Sequence, residues 1–169
     1  GSRPSSYGAW LIANSYGTKY NDGGYFWLSY EEPSISDIYT MAVETTANYE
    51  NIYQYDGNGW SDAVSIPGND FTGANVFTSS SSFEETLNAV SFYTISDNQK
   101  YTIKIYKNLT GTTPDTGTLA CACTISGTAD YSGYHTIKLP TSCTLSPGSK
   151  FAVAITYKYD ASTKNQAYI

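Results

Sequence analysis

Apolar residues in this chain recur at every second position, in short runs that end on turn formers. This alternation constrains the fold more than any other feature. Tyr101, Ile103 and Ile105 alternate with Thr102, Lys104 and Tyr106, the spacing of a strand with one buried face. The pattern returns in residues 119–125, in residues 135–139, and through Phe151, Val153, Ile155 and Tyr157. Residues 86–94 read as a longer strand with Val90 and Phe92 on one face, and residues 74–78 as a short one. Residues 52–56 alternate and stop at Gly57-Asn58-Gly59, while residues 38–44 read as a strand or an edge. Turn formers separate nearly all of these runs: Asp97-Asn98, the loop between Gly111 and Gly117, Gly127, Gly133 and Pro147-Gly148. No segment carries a helical stripe. Strands spaced about 8–15 residues apart predict an all-β chain, an antiparallel β-sandwich or jelly roll.

An N-terminal β-hairpin precedes the series. Trp10-Leu11-Ile12-Ala13 and Tyr25-Phe26-Trp27-Leu28 flank Asn21-Asp22-Gly23-Gly24, a strong turn signal. A lone two-stranded hairpin is only marginally stable in water. Trp10, Ile12, Phe26 and Trp27 are therefore expected to pack on the sandwich, or to pair with a second chain along the open edge.

The 169 residues suit one sizeable domain, or a domain plus a fragment. Tyrosine is abundant, at 17 residues, and charged residues make up only 14%, well below the ~25% of an average soluble domain. Tyr favours half-buried pleated surfaces. The net charge of −6 and the lack of a Lys/Arg cluster argue against nucleic acid as a partner. No apolar run reaches the ~18 residues of a membrane span.

The three cysteines are Cys121, Cys123 and Cys143. Cys121 and Cys123 are two apart on an expected strand and would share one face. One reading makes them buried thiols acting as small hydrophobes. The other pairs one of them with Cys143 and leaves a free thiol. A zinc site is not expected, because His135 is the sole histidine and lies on another segment.

Two aromatic groups are candidates for binding. Tyr53, Tyr55, Asp56, Asn58 and Trp60 gather around a Gly-rich loop. Sugars are held by an aromatic face against apolar C–H surface, with polar groups fixing orientation. The same rings can instead face the core or plug the end of a sandwich. Tyr131 and Tyr134 form the second group, beside Gly133. His135 shares parity with Ile137 and Leu139, which makes it an inner or edge histidine. Asp56, Asp62, Asp70 and Asp160 could contribute to a structural calcium site, but no Asp-x-Asp-x-Asp loop occurs. No cofactor is expected otherwise. Glu84 and Glu85 are adjacent and would point to opposite sides of a strand, which does not suit a paired-carboxylate glycosidase.

Asn14-Ser15-Tyr16-Gly17, then Tyr20, then Gly24-Tyr25-Phe26, resembles the segment around the active-site asparagine of papain-like cysteine peptidases. Tyr16 and Tyr20 stand where the family pattern has tryptophans, and Asn21 stands where it has glycine. The resemblance implies that Asn14 orients the catalytic histidine of a parent enzyme. Such chemistry needs a thiolate, an imidazole and a third group that fixes the imidazole. In the family the cysteine and histidine precede the asparagine. Here Cys121, Cys123, Cys143 and His135 all follow it. The remainder resembles the lectin-like β-sandwich that follows papain-like domains in some Gram-positive bacteria. That resemblance rests on Tyr53-Gln54-Tyr55-Asp56-Gly57, Ala74-Asn75-Val76-Phe77 and Ala89-Val90-Ser91-Phe92-Tyr93-Thr94, with Gly133-Tyr134-His135 and Gly148-Ser149-Lys150-Phe151 further on.

The resulting expectation has three parts. Residues 1–7 are a tag or linker, residues 8–37 a C-terminal remnant of the peptidase domain, and residues 38–169 the lectin-like sandwich. The chain alone is not an enzyme. It is expected to be a secreted or cell-surface accessory domain that brings its parent peptidase to a carbohydrate, cell-wall or protein ligand. The alternatives are a structural domain that packs on and stabilises its own upstream peptidase domain, and an enzyme subunit supplying only Asn14.

Overall fold

The computed structural model describes residues 7–36, 38–57, 59, 62–64 and 67–160. The chain divides into two compact units, Gly1–Glu50 and Asn51–Ile169.

The first unit is built on the expected hairpin. Strand β1 (Ala9–Ala13) pairs antiparallel with β2 (Tyr25–Ser29), setting Trp10 opposite Leu28 and Ile12 opposite Phe26. The loop between them folds back on itself. The Gly24 N–H donates to the Tyr20 carbonyl at 2.8 Å, and the Asn14 N–H to the Gly24 carbonyl at 2.9 Å. Gly24 takes φ +95°, which a Cβ would strain, and its Cβ would sit 3.3 Å from the Gly17 carbonyl oxygen. Trp10 meets the ring of Tyr30 edge-on at 4.8 Å. Both tryptophans stay open, Trp10 at 50% and Trp27 at 69% exposure. Residues 38–44 form no strand, contrary to expectation. A strand needs a ladder partner, and Ile38, Met41 and Val43 are all exposed in this segment.

The second unit is an antiparallel β-sandwich with jelly-roll character. Its strands, in chain order, are β3 (Phe71–Thr78), β4 (Glu85–Thr94), β5 (Gln99–Lys107), β6 (Thr118–Leu119), β7 (Ile125–Ala129), β8 (Gly133–Leu145) and β9 (Lys150–Tyr157). One sheet runs β3-β9-β5, with β6 and β7 sharing the outer side of β5. The other is the ribbon β4-β8. Its register slips beside Asn88, where Leu87 opposes Cys143 but Ala89 opposes Lys138. Ser142 Oγ donates to Asn88 Oδ1 across the irregularity.

The core lies between the sheets. Ile103 and Ile105 are fully buried and pack with Val90, Phe92, Tyr101, Cys143 and Tyr157, while fully buried Phe151 packs with Tyr53 and Phe77. Phe92 meets Tyr101 edge-on at 4.9 Å and Tyr157 edge-on at 6.0 Å, so the ribbon's inner rings interlock with the facing sheet. The outer face of the larger sheet mixes hydroxyls with small apolar residues, Ala152 and Ala154 among them. Thr72 pairs with Thr156, and Thr102 with Ser126, each at 2.8 Å.

Two further strand expectations need correction. Residues 52–56 form an extended loop and join no ladder. The alternation is used by side chains instead. Tyr53 packs edge-on against Phe151 at 5.3 Å, and Tyr55 stacks on Phe77 at 5.0 Å. The Tyr55 hydroxyl donates to the Val76 carbonyl at 2.7 Å, covering the edge of β3. Residues 119–125 are not one strand either. The chain leaves β5 after Leu119 and makes a 3-10 turn at Cys121–Cys123 before β7 begins. The turn drives Cys123 inward to bridge Cys143 on β8 and leaves Cys121 exposed. The two cysteines therefore do not share a face, and the reading with one bridge and one free thiol is the one observed.

The bridge spans a sequence separation of 20, which corresponds to about 3 kcal/mol in the loop-entropy model. Cys143→Ala is expected to lower unfolding free energy by about that amount in urea titrations. One thiol, Cys121, should react in the native protein without reductant. A native protein with no reactive thiol, or with three, would contradict this pairing.

Candidate functional site

The ribbon β4-β8 uses its two faces differently. Val90, Phe92 and Thr94 point into the sandwich, so period two sends Ala89, Ser91 and Tyr93 outward. Cross-strand pairing sets Lys138, Thr136 and Tyr134 opposite them. Tyr93 and Tyr134 lie with ring centroids 4.7 Å apart, tilted by 52°. Tyr134 is 55% exposed and Tyr93 half-buried. Next along the ribbon, the hydroxyls of Ser91 and Thr136 pair at 2.9 Å. The outward face is thus a tyrosine pair followed by a hydroxyl pair.

The platform is held from behind. The Tyr157 hydroxyl, inside the core, donates to the Tyr93 carbonyl at 3.0 Å. Burial pushes the Tyr157 phenol up to about 12. His135 Nε2 and Thr94 Oγ1 are hydrogen-bonded at 3.0 Å on the inner side, and Thr94 Oγ1 also donates to the Tyr131 carbonyl. His135 is therefore a satisfied inner histidine packed beside Phe92. Tyr131 sits on the turn before β8 with its side chain 77% exposed. From that turn the Ser132 N–H donates to the Asp97 carboxylate in the loop between β4 and β5.

Of the first aromatic group, the structure splits the members. Tyr53 is engaged in the fold. Its hydroxyl donates to Glu85 Oε2 at 2.5 Å, and the Ser80 N–H reaches the same oxygen at 2.7 Å. Asn51 Nδ2 donates to the other carboxylate oxygen. Burial raises the Glu85 carboxyl, but these donors outweigh it and hold it below its ordinary value. Burial raises the Tyr53 phenol, and Glu85 adds to that. Tyr55 covers the β3 edge and keeps an exposed ring face. Asp56 accepts the Gly59 N–H at its carbonyl, closing a turn in which Gly59 takes φ +78°. A Cβ at Gly59 would lie 3.8 Å from the Tyr93 hydroxyl, so this turn borders the Tyr93–Tyr134 pair. Asn58 and Trp60 lie outside the described residues. Tyr93 was absent from the sequence candidates. Its signal was its position between buried Phe92 and Thr94, which period two turns outward.

The acids do not converge. Asp70 pairs with Lys158 at 2.7 Å and Asp160 with Lys100 at 2.8 Å. Hydrogen bonds from Lys158 and from the Tyr159 N–H hold the Asp70 carboxyl below its ordinary value. Among the described residues no three His, Cys, Asp or Glu side chains gather as a metal site. In the hairpin unit, Asn14 Oδ1 accepts the Tyr16 N–H at 2.8 Å. Asn14 Nδ2 is shielded and donates to no acceptor among the described residues.

The lectin-like domain family model matches residues 52–168, a span that begins one residue inside the second unit. Two solved structures resemble the chain. The clostridial cysteine protease Cwp84 after propeptide cleavage is 28% identical, with a TM-score of 0.73 over 98% of this chain. The cysteine protease and lectin-like domains of Cwp84, a surface layer associated protein of Clostridium difficile, are 27% identical, with a TM-score of 0.60 over 98% of this chain. The present chain spans only 40% and 36% of those chains. The curated proteins contain no match.

Two pH responses follow. The Glu85 carboxyl lies below its ordinary 4.5, so its contribution is complete above that value and disappears as pH falls through the lowered one. Glu85→Gln should flatten the acid limb of a stability-versus-pH curve followed by tryptophan fluorescence. The Tyr157 phenol lies above its ordinary 10.0, so its contribution is complete below that value and disappears as pH rises toward about 12. Tyr157→Phe should remove the latest tyrosine step from an ultraviolet alkaline titration and lower stability at neutral pH by about 1 kcal/mol. An unchanged late step would assign it to another residue.

Proposed function

Because this chain belongs to the lectin-like domain family, matched over residues 52–168, we propose that it is the non-catalytic accessory part of a surface-associated cysteine peptidase. Its role is to hold that enzyme at a carbohydrate or cell-wall ligand. The observation that carries the reading is the likeness of both units to Cwp84 structures, at 28% and 27% identity over 98% of this chain. Cwp84 is a cysteine protease with a lectin-like domain and is associated with a surface layer. The resemblance of residues 14–26 to the segment around the active-site asparagine of papain-like peptidases points the same way.

An anchor of this kind works through effective concentration. Tethering turns each later encounter between enzyme and surface substrate into an intramolecular event, with no new chemistry. The acidic net charge of −6 suits a ligand held by stacking and hydroxyl contacts better than one held by phosphates.

A second reading rests on the hairpin. Trp10, Leu11 and Trp27 are each at least half exposed, and Asn14 Nδ2 lacks an acceptor. Both features fit a segment completed by a peptidase body, in which Asn14 supports an imidazole. In this reading the chain stabilises its peptidase domain and shapes its cleft.

The two are separated by one comparison. The Cwp84-type peptidase joined to this chain, and the same peptidase carrying only residues 1–50, are assayed on a soluble peptide and on isolated cell walls. Anchoring predicts equal peptide cleavage and at least about tenfold faster release from walls for the longer protein. Equal rates on both substrates would remove the anchoring role.

A further inference from the structure

Resting on the accessory-domain reading, we infer that the outward face of β4-β8 is the ligand site, and that its ligand is an uncharged pyranose polymer lying across Tyr93 and Tyr134.

The inventory of that face selects the ligand. Over the stretch paired from Ala89 to Tyr93, its outward side chains are Ala89, Ser91 and Tyr93 on one strand and Tyr134, Thr136 and Lys138 on the other. None is a Leu, Ile, Val or Met, so this stretch is aromatic and hydroxylic rather than aliphatic. What the face offers is two tilted rings with centroids 4.7 Å apart and a pair of hydroxyls beside them. A pyranose ring presents the complement. Its axial C–H groups form a weakly positive apolar patch that sits on the negative face of an aromatic ring. Its equatorial hydroxyls reach outward to donors and acceptors such as Ser91 and Thr136.

Charge gives the same answer. Lys138, at one end, is the one residue of those six that carries a charge at neutral pH. A polyanion would meet a single cation on a molecule of net charge −6, which disfavours phosphate-rich polymers. A neutral polyol loses nothing by approaching. The strand that carries Tyr93 is tied to the core, since buried Tyr157 donates to the Tyr93 carbonyl. Gly59 comes close to the Tyr93 hydroxyl at the edge of the pair.

The test is affinity electrophoresis of the 169-residue chain in gels containing a neutral glucan, mannan or galactan, with polygalacturonate as the anionic comparison. At least one neutral polymer should retard the wild type, and polygalacturonate should not. Tyr134→Ala should weaken retardation about tenfold or more, equivalent to about 1.4 kcal/mol, while Tyr134→Trp retains it. Thr136→Lys, at an exposed position beside the rings, should also block binding. Thr72→Lys, on the outer face of the other sheet, should not. Circular dichroism melts confirm that each variant is folded, and Thr136→Lys keeps the test decisive if Tyr134→Ala is not. Retardation that survives both Tyr134→Ala and Thr136→Lys would overturn this site while leaving the accessory reading intact. No retardation by any neutral polymer, or retardation by polygalacturonate alone, would overturn the ligand class.

Discussion

A two-stranded ribbon cannot hold its shape in water without burying one side. That constraint organises the second unit of this chain. Strands β4 and β8 form such a ribbon, and they survive because Val90 and Phe92 seat among Tyr101, Ile103, Ile105 and Tyr157 of the facing sheet. The Cys123–Cys143 bridge adds a covalent tie between the turn after β6 and β8. Once the inner side is committed to the core, period two leaves no choice for the rest. Ser91, Tyr93, Tyr134 and Thr136 must face out, and the tyrosine pair becomes a surface feature.

The strands were largely legible because burial and alternation coincide in them. In β5 the residues Tyr101, Ile103 and Ile105 are all buried while Lys100 is exposed, so the sequence carries the face directly. Where side chains and backbone parted company, the reading failed. Residues 52–56 alternate like a strand, yet their rings are held by Phe77, Phe151 and Glu85 rather than by a ladder. Cys121 and Cys123 have strand spacing, yet a 3-10 turn sends them apart. Neither outcome depends on local preference. Each is set by a distant partner, Glu85 in one case and Cys143 in the other.

The site shows the same divide. Tyr134 stood out as an aromatic beside a glycine, but its companion could not be found without the register that sets it opposite Tyr93. A pairing between residues 41 apart in sequence is a property of topology. The turn at Gly59 joins them for a similar reason, since its approach to the Tyr93 hydroxyl follows from how the chain enters the sandwich. The hairpin unit, by contrast, was readable from a short motif, because its turn chemistry and its pairing lie within about two dozen neighbouring residues.

The hydroxyl of Tyr55 on the Val76 carbonyl bears on how such domains behave in a crowd. Strand β3 ends its sheet, and a bare end is where a neighbour's chain can add itself and start a fibre. Here one acceptor on that border is already taken, and a ring stacked on Phe77 stands in the path of an incoming backbone. Copies crowded side by side would therefore meet as separate bodies rather than as one continuing sheet.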